Sequence, residues 1–252
     1  MKKTFNVLSI DFDYFQDVDE DTIVNCYPDG KDLPSELTIM TWMTHYADER
    51  CYDKLMEIDI DAENLENIKY ILLNQKFNTP CMTVQSHIHI YDFIKQHYNP
   101  KKYSGCNIVN IDMHHDCFND NDKLDCGNWV SHALNDFENC KVSWIANKIS
   151  KKVYGTEKLN KVIEYDFNKI QKAKFDLIFL CRSDTWLPPH LDPYFDELYK
   201  LITENFYSTM VDPQITKPRD FEAIKSAAEE HRKQIAEYQK TLNELNKKGN
   251  TT

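Results

Sequence analysis

Hydrophobic positions along the chain fall into two alternating kinds of stretch. Short β-branched and apolar runs come at Phe5 to Ile10, Thr83-Val84-Gln85, Cys106 to Ile111, Val142 to Ile145 and Phe175 to Cys181. Their length and composition predict buried strands. Between them, Leu37 to Tyr46, Ile68 to Phe77 and Trp129 to Leu134 read as helices, and Ser86 is placed to cap a helix carrying Ile90, Phe93 and Ile94. Tyr52 to Ile60 fits either element, and the acidic stretch from Asp17 to Pro34, with Pro28, Gly30 and Pro34, suits a surface loop. Strands alternating with helices predict an α/β fold with a mainly parallel sheet, in which ligands gather beyond the carboxyl ends of the strands. No internal repeat or low-complexity block interrupts the pattern.

Beyond Pro218 the pattern changes. Phe221, Ile224, Ala228, His231, Ile235, Tyr238, Leu242 and Leu245 recur at alternating steps of three and four, a heptad-like stripe on one long helix. The division expected is a catalytic domain over 1–218 followed by a helix and polar tail over 219–252. The stripe suits a helix laid on its own domain, or a contact through which the chain forms a homo-oligomer.

Composition narrows the function. A formal charge of -11 over 252 residues leaves nucleic acid an unexpected partner. The 5 glycines show neither a dinucleotide fingerprint nor a phosphate-cradling loop. The 8 cysteines include no CxxC pair, in a chain too long to need a disulfide framework, and read as reduced thiols. Asp11 and Asp13 break the N-terminal apolar run before a signal-peptide core forms, and no stretch approaches a membrane span, so a cytoplasmic location is expected.

Two predicted strands end in acids. Asp11 and Asp13 close the first; Asp112, His114 and Asp116 alternate after the Cys106 to Ile111 strand, where a period of two would put all three on one face. Carboxylates and neutral imidazoles suit a hard to borderline divalent ion. Four carboxylates in one cleft repel one another unless cations neutralise them, and two ions fit that charge better than one. Asp-x-Asp pairs also serve as helix caps, so the Asp-x-His-x-Asp triplet is the sharper signal.

These residues resemble a known family. Asp112-Met113-His114-His115-Asp116 is similar to the Asp-Ala-His-x-Asp motif of the ureohydrolases, the arginase and agmatinase superfamily, and Ser9-Ile10-Asp11-Phe12-Asp13 to their Ser-Phe-Asp-x-Asp motif. The Asp-x-Asp strand comes first here and late in ordinary arginases. That order, with His87 in Ser-His-Ile-His-Ile-Tyr-Asp, Asn128-Trp129-Val130 and the segment Cys181 to His190, resembles an atypical arginase-like group. Its members include peptide arginases, which convert arginine to ornithine in ribosomally made precursor peptides. The resemblance covers roughly residues 5 to 195. It implies a three-layer arginase/deacetylase-like fold with rearranged strand order, and two manganese ions bridged by Asp11 and Asp112. His87 and Asp116 would complete one site, His114 and Asp13 the other. His87 is preferred to His89 because it matches the family's histidine before the helix, and His115 should face away. The implied substrate is an arginine-containing peptide.

The chain departs from the family after the triplet. A shuttling histidine is expected where Val130 stands, so His132 or Asp116 becomes the candidate proton donor, and Asp184 is the candidate for gripping guanidinium. Phe118 to Lys123 shows no contacts recognisable as those that hold a free amino acid. Two other readings remain open: a zinc-dependent deacetylase of the related fold, and a non-enzymatic binding protein with a structural metal.

Overall fold

The computed structural model describes residues 2–28, 32–118, 123–155, 162–164, 167–207, 209–217 and 219–249, with side chains undescribed at 162–164 and 245–249. Gly30, Asn119 to Asp122, Pro218 and the last three residues of the tail lie outside the described residues, as does the side chain of Leu245. The strands are β1 (Lys3–Asp11), β2 (Gln16–Asp17), β3 (Asp59–Ile60), β4 (Cys81–Val84), β5 (Tyr103–Asp112), β6 (Lys141–Ala146), β7 (Val162–Glu164), β8 (Leu177–Cys181) and β9 (Thr209–Val211). The helices are α1 (Glu20–Cys26), α2 (Ser35–Ala47), α3 (Glu49–Met56), α4 (Ala62–Leu73), α5 (His89–His97), α6 (Trp129–Asp136), α7 (Ser150–Tyr154), α8 (Asp192–Asn205) and α9 (Phe221–Gly249).

Seven strands form one sheet in the order β7-β6-β5-β1-β8-β4-β9, and every pairing is parallel; β2 and β3 make a separate antiparallel pair. Alternation along the strands feeds two apolar layers. Leu8, Ile10, Ile111, Ile178 and Leu180 face α1 to α4, α8 and the start of α9, whereas Phe5, Val7, Ile108, Leu177 and Phe179 face α5 and α6. The molecule is thus a three-layer α/β fold, as the strand and helix pattern predicted. β1 sits centrally between β5 and β8, and the chain crosses from one side of it to the other between β4 and β5. Such crossings open a crevice at the carboxyl ends of the strands.

Several local expectations change. The Asp17 to Pro34 stretch is not all loop: Asp19 accepts from the backbone N–H of Thr22 at 2.8 Å and caps α1, which buries Thr22, Ile23 and Cys26. Ser86 does not cap its helix, because α5 starts three residues on with Ile88 at the N-cap; the Ser86 hydroxyl donates to Asp32 and accepts from the Ile88 N–H at 3.4 Å in the turn before it. Cys26 and Cys51 are bonded to each other, joining α1 to α3, which corrects the reading of all cysteines as thiols. Helix α9 packs its first turns on α2 through Ile224 and Ala228, while Ile235, Tyr238 and Leu242 farther along are exposed. No helix among the described residues is long and apolar enough to cross a membrane.

Candidate metal centre

Register brings the two acidic strand ends together. Ile10 pairs with Ile111 across β1 and β5, which sets Asp11 beside Asp112 at the carboxyl edge of the sheet. Both continue the alternation of Phe5 and Val7 or Cys106 and Ile108, so both face the layer that holds α5 and α6. His87 arrives on the same face from the turn between β4 and α5.

Three of the carboxylates are split between backbone and cluster. Asp11 Oδ1 accepts from Asp13 N–H at 3.4 Å, Asp13 Oδ1 from Met113 N–H at 3.2 Å, and Asp112 Oδ1 from His114 N–H at 2.7 Å. The capping role open to such acids is therefore real. It occupies one oxygen of each and leaves Oδ2 of Asp11 and of Asp112 facing His87 Nδ1 at 3.1 and 3.2 Å, and Oδ2 of Asp13 facing His114 Nδ1 at 3.0 Å. Asp116 Oδ2 completes the ring around His87 Nδ1 at 3.2 Å.

That nitrogen is the telling atom. The His87 ring stacks on Phe179, and its Nε2 lies 2.7 Å from Ser9 Oγ, so the ring is locked with Nδ1 turned into the acids. Although buried among three carboxylate oxygens, Nδ1 makes no hydrogen bond of acceptable geometry. Donors sharing an ion at bond lengths of about 2.1 Å stand roughly 3.0–3.4 Å apart by simple octahedral or tetrahedral geometry. The spacings around Nδ1 match that arrangement. Two groups of buried side chains could each hold a metal ion: Asp11, His87 and Asp112, and Asp13, Asp112 and His114, with Asp112 common to both.

Electrostatics point the same way. Burial, with Asp112 close by, pushes the Asp11 and Asp116 carboxyls up, and burial with Asp11 close by pushes Asp13 up to about 7. Asp112 is buried too, yet the neighbouring His114 and His87 imidazoles hold it below the ordinary carboxylate range. Burial opposes protonation of the histidines, yet the carboxylates around His87, and Tyr154 with Asp13 and Asp112 around His114, hold both well above the usual imidazole range. Four acids against two imidazoles leave a site short of positive charge. The donor set fits divalent cations.

Tertiary contacts orient these ligands. Trp129 Nε1 donates to Asp116 Oδ2 at 2.5 Å, and Asn110 Nδ2 to Asp112 Oδ2 at 3.2 Å. Ser183 Oγ donates to Asp11 Oδ2 at 3.1 Å. Asp116 and Ser183 have φ of 52° and 61°, left-handed conformations that cost a non-glycine residue energy and cluster at functional sites. β5 ends at Asp112, so Asp112, His114 and Asp116 do not converge by strand alternation as expected. The chain turns after Asp112, and the left-handed Asp116 returns its carboxylate to the cluster.

A cavity of about 640 Å³ opens over the cluster, reached by Asp11, His87, His114 and Asp116. Phe118, Tyr154 and Trp186 wall it, and the rings of Tyr154 and Trp186 lie 4.5 and 5.4 Å from that of His114.

Not every expected residue reaches this cavity. His132 is half-buried on α6 against Tyr91, and the described lining does not include it. Val130 is fully buried in the apolar layer, where a histidine could not exchange protons with a substrate. His89 is exposed, and His115 packs on Phe118 and Trp144 with Nδ1 accepting from Cys117 N–H. Asp184 is corrected most sharply. It does grip a guanidinium, but that of Arg182, through Nε at 2.5 Å and Nη2 at 3.0 Å. Its two oxygens are thereby engaged inside the protein. Asn110 escaped notice because an isolated amide carries no spacing signal, whereas Ser9 stood in the Ser-Ile-Asp-Phe-Asp motif and Ser183 in the Cys181 to His190 segment without a role assigned to either. The Asn-Trp pair after the triplet was the available cue for Trp129.

Comparison of the chain with protein-family models, curated proteins and solved structures finds no match. What the chain can do rests on these side chains.

Proposed function

We propose that the protein is a binuclear, manganese-dependent hydrolase that converts arginine to ornithine and urea on a peptide substrate. The observation that carries this reading is Asp112, shared by two buried Asp/His groups whose remaining oxygens and Nδ1 atoms converge beneath one cavity. Asp11, His87, Asp112 and Asp116 would hold one ion, and Asp13, Asp112 and His114 the other. Two such ions supply a water of lowered pKa and offset charge that develops at an attacked planar carbon.

The chain's own groups then do the rest. Ser9 and Phe179 keep His87 Nδ1 aimed at the acids, Trp129 and Ser183 fix the carboxylate rotamers, and the walls of Phe118, Tyr154 and Trp186 limit water around the reacting carbon. Collapse of the tetrahedral adduct needs a proton at the leaving amine. Asp116, which lines the cavity, is the candidate to carry it. An oxygen-rich donor set favours manganese over zinc.

The test is metal analysis of manganese-reconstituted protein, followed by urea release from free arginine, N-acetyl-arginine amide and a longer arginine-containing peptide. About two ions per chain and urea rising with peptide length are expected. One tightly held zinc without urea would favour a deacetylase.

A further inference from the structure

Asp32 is an acid of the cavity outside the metal groups, and among the described residues it forms no salt bridge. It lines the same cavity as Asp11, His87 and Asp116 and is only half-buried. Its position is fixed from two sides. Its carboxylate is held by the Ser86 hydroxyl, one residue before His87, and the neighbouring Leu33 N–H donates to Thr185 Oγ1 at 3.3 Å in the loop after β8. One hydroxyl bond leaves a carboxylate with most of its acceptor capacity unused. Asp184 is closed by Arg182 and is not in the described lining, and Asp125, which is, turns Oδ1 to the Gly127 N–H at 3.0 Å within its own turn. Lys123, the lysine of the described lining, is exposed. The same lining includes the aromatic rings of Trp186, Tyr154 and Phe118, and a planar cation packs favourably on such rings.

We propose that Asp32 is the specificity-determining residue of the cleft, accepting hydrogen bonds from a side-chain guanidinium and so selecting it over its uncharged isostere. This deepens the ureohydrolase reading and rests on it for the identity of the cation. A charge-assisted, hydrogen-bonded pair in a partly desolvated cleft separates cation from neutral isostere by roughly 10-fold or more.

The experiment is calorimetric binding of N-acetyl-arginine amide and N-acetyl-citrulline amide to the manganese-loaded full chain, with urea and metal content measured on the same samples. Wild type should prefer the arginine probe by about 10-fold or more. Asp32→Asn should bring the two affinities within about 2-fold by weakening the arginine probe alone, with metal content unchanged, and Asp32→Glu should restore part of the preference. The proposal is overturned by a wild type without preference, by an Asp32→Asn protein that keeps it, by equal weakening of both probes, or by loss of metal from the variant. Preference without urea removes the ureohydrolase reading and leaves Asp32 in its role; urea release with preference unmoved by Asp32→Asn does the reverse.

Discussion

Two buried ionic clusters lie close together in this molecule and are built on opposite principles. Below the loop after β8, Arg182 is bidentate to Asp184, and Arg219 reaches Asp192 through Nε at 3.0 Å while its Nη1 donates to the carbonyls of Asp184 and Leu187 at 2.8 Å. Two arginines meet two aspartates, the hydrogen bonds are satisfied, and the network closes on itself. At the strand ends above it, Asp11, Asp13, Asp112 and Asp116 face two histidines, and His87 Nδ1 lacks a hydrogen bond. Equal burial with unequal charge separates a structural clamp from a site that could take cations from solution. The clamp also serves the site, because it holds the loop carrying Ser183 and Trp186.

The strongest way to break this contrast is to remove the shared ligand. Asp112→Ala should lower manganese content from about two ions per chain to below one and abolish urea release, since both groups lose a donor. Metal analysis by mass spectrometry checks this; a variant that keeps one tightly bound ion would show that the groups are independent.

Arg219→Ala tests the other cluster. It leaves Asp192 buried without its bidentate partner, so denaturant unfolding should show a loss of about 3–5 kcal/mol, while metal content of the folded protein stays unchanged. Metal loss with little destabilisation would mean that the clamp belongs to the metal centre.

Proton linkage sharpens the comparison further. Asp13 is raised in the folded state to about 7 from its ordinary value of 3.8, so its relative contribution to stability is full below about 4 and is lost as pH climbs to about 7. The raised histidines act in the same direction at still higher pH. Metal-free protein should therefore lose several °C of Tm between about pH 5 and pH 8, and manganese should flatten or reverse that slope because metal binding favours deprotonated ligands. Parallel slopes with and without manganese would place the binding ions elsewhere.

The smallest effect is expected at His132. It stands away from the described cavity lining, so His132→Ala should change urea release by no more than about 2-fold and leave metal content intact, as surface substitutions usually do. A large fall in turnover at constant metal would restore it as the proton shuttle.

Much of the site was legible because its signals were local. Asp-x-Asp and Asp-x-His-x-Asp at the ends of apolar runs are patterns of neighbours, and the register of β1 with β5 turns two such ends into one cluster. Asp184 shows the limit. Its place after the apolar β8 strand suggested a substrate-gripping acid, yet Arg182, two residues before it, occupies the carboxylate, and no sequence pattern states which way an arginine turns. Helix α1 was missed because its buried face comprises Thr22, Ile23 and Cys26 inside an acidic stretch, too short for a periodic signal.

The sequence by itself determined the alternation of strands and helices, the acidic charge and the inventory of donors, because each depends on residue type and spacing within a few positions. Tertiary structure alone decided that Arg182 closes Asp184 and that Asp32 lines the cavity, and it set Asp112 in both groups and His87 inward with His89 exposed, an arrangement that residue spacing did not dictate and the family resemblance implied. Those outcomes depend on which side chains, far apart in the chain, compete for the same oxygen. Burial makes the competition decisive, since an ionised group removed from water must find a partner in the fold or take one from solution.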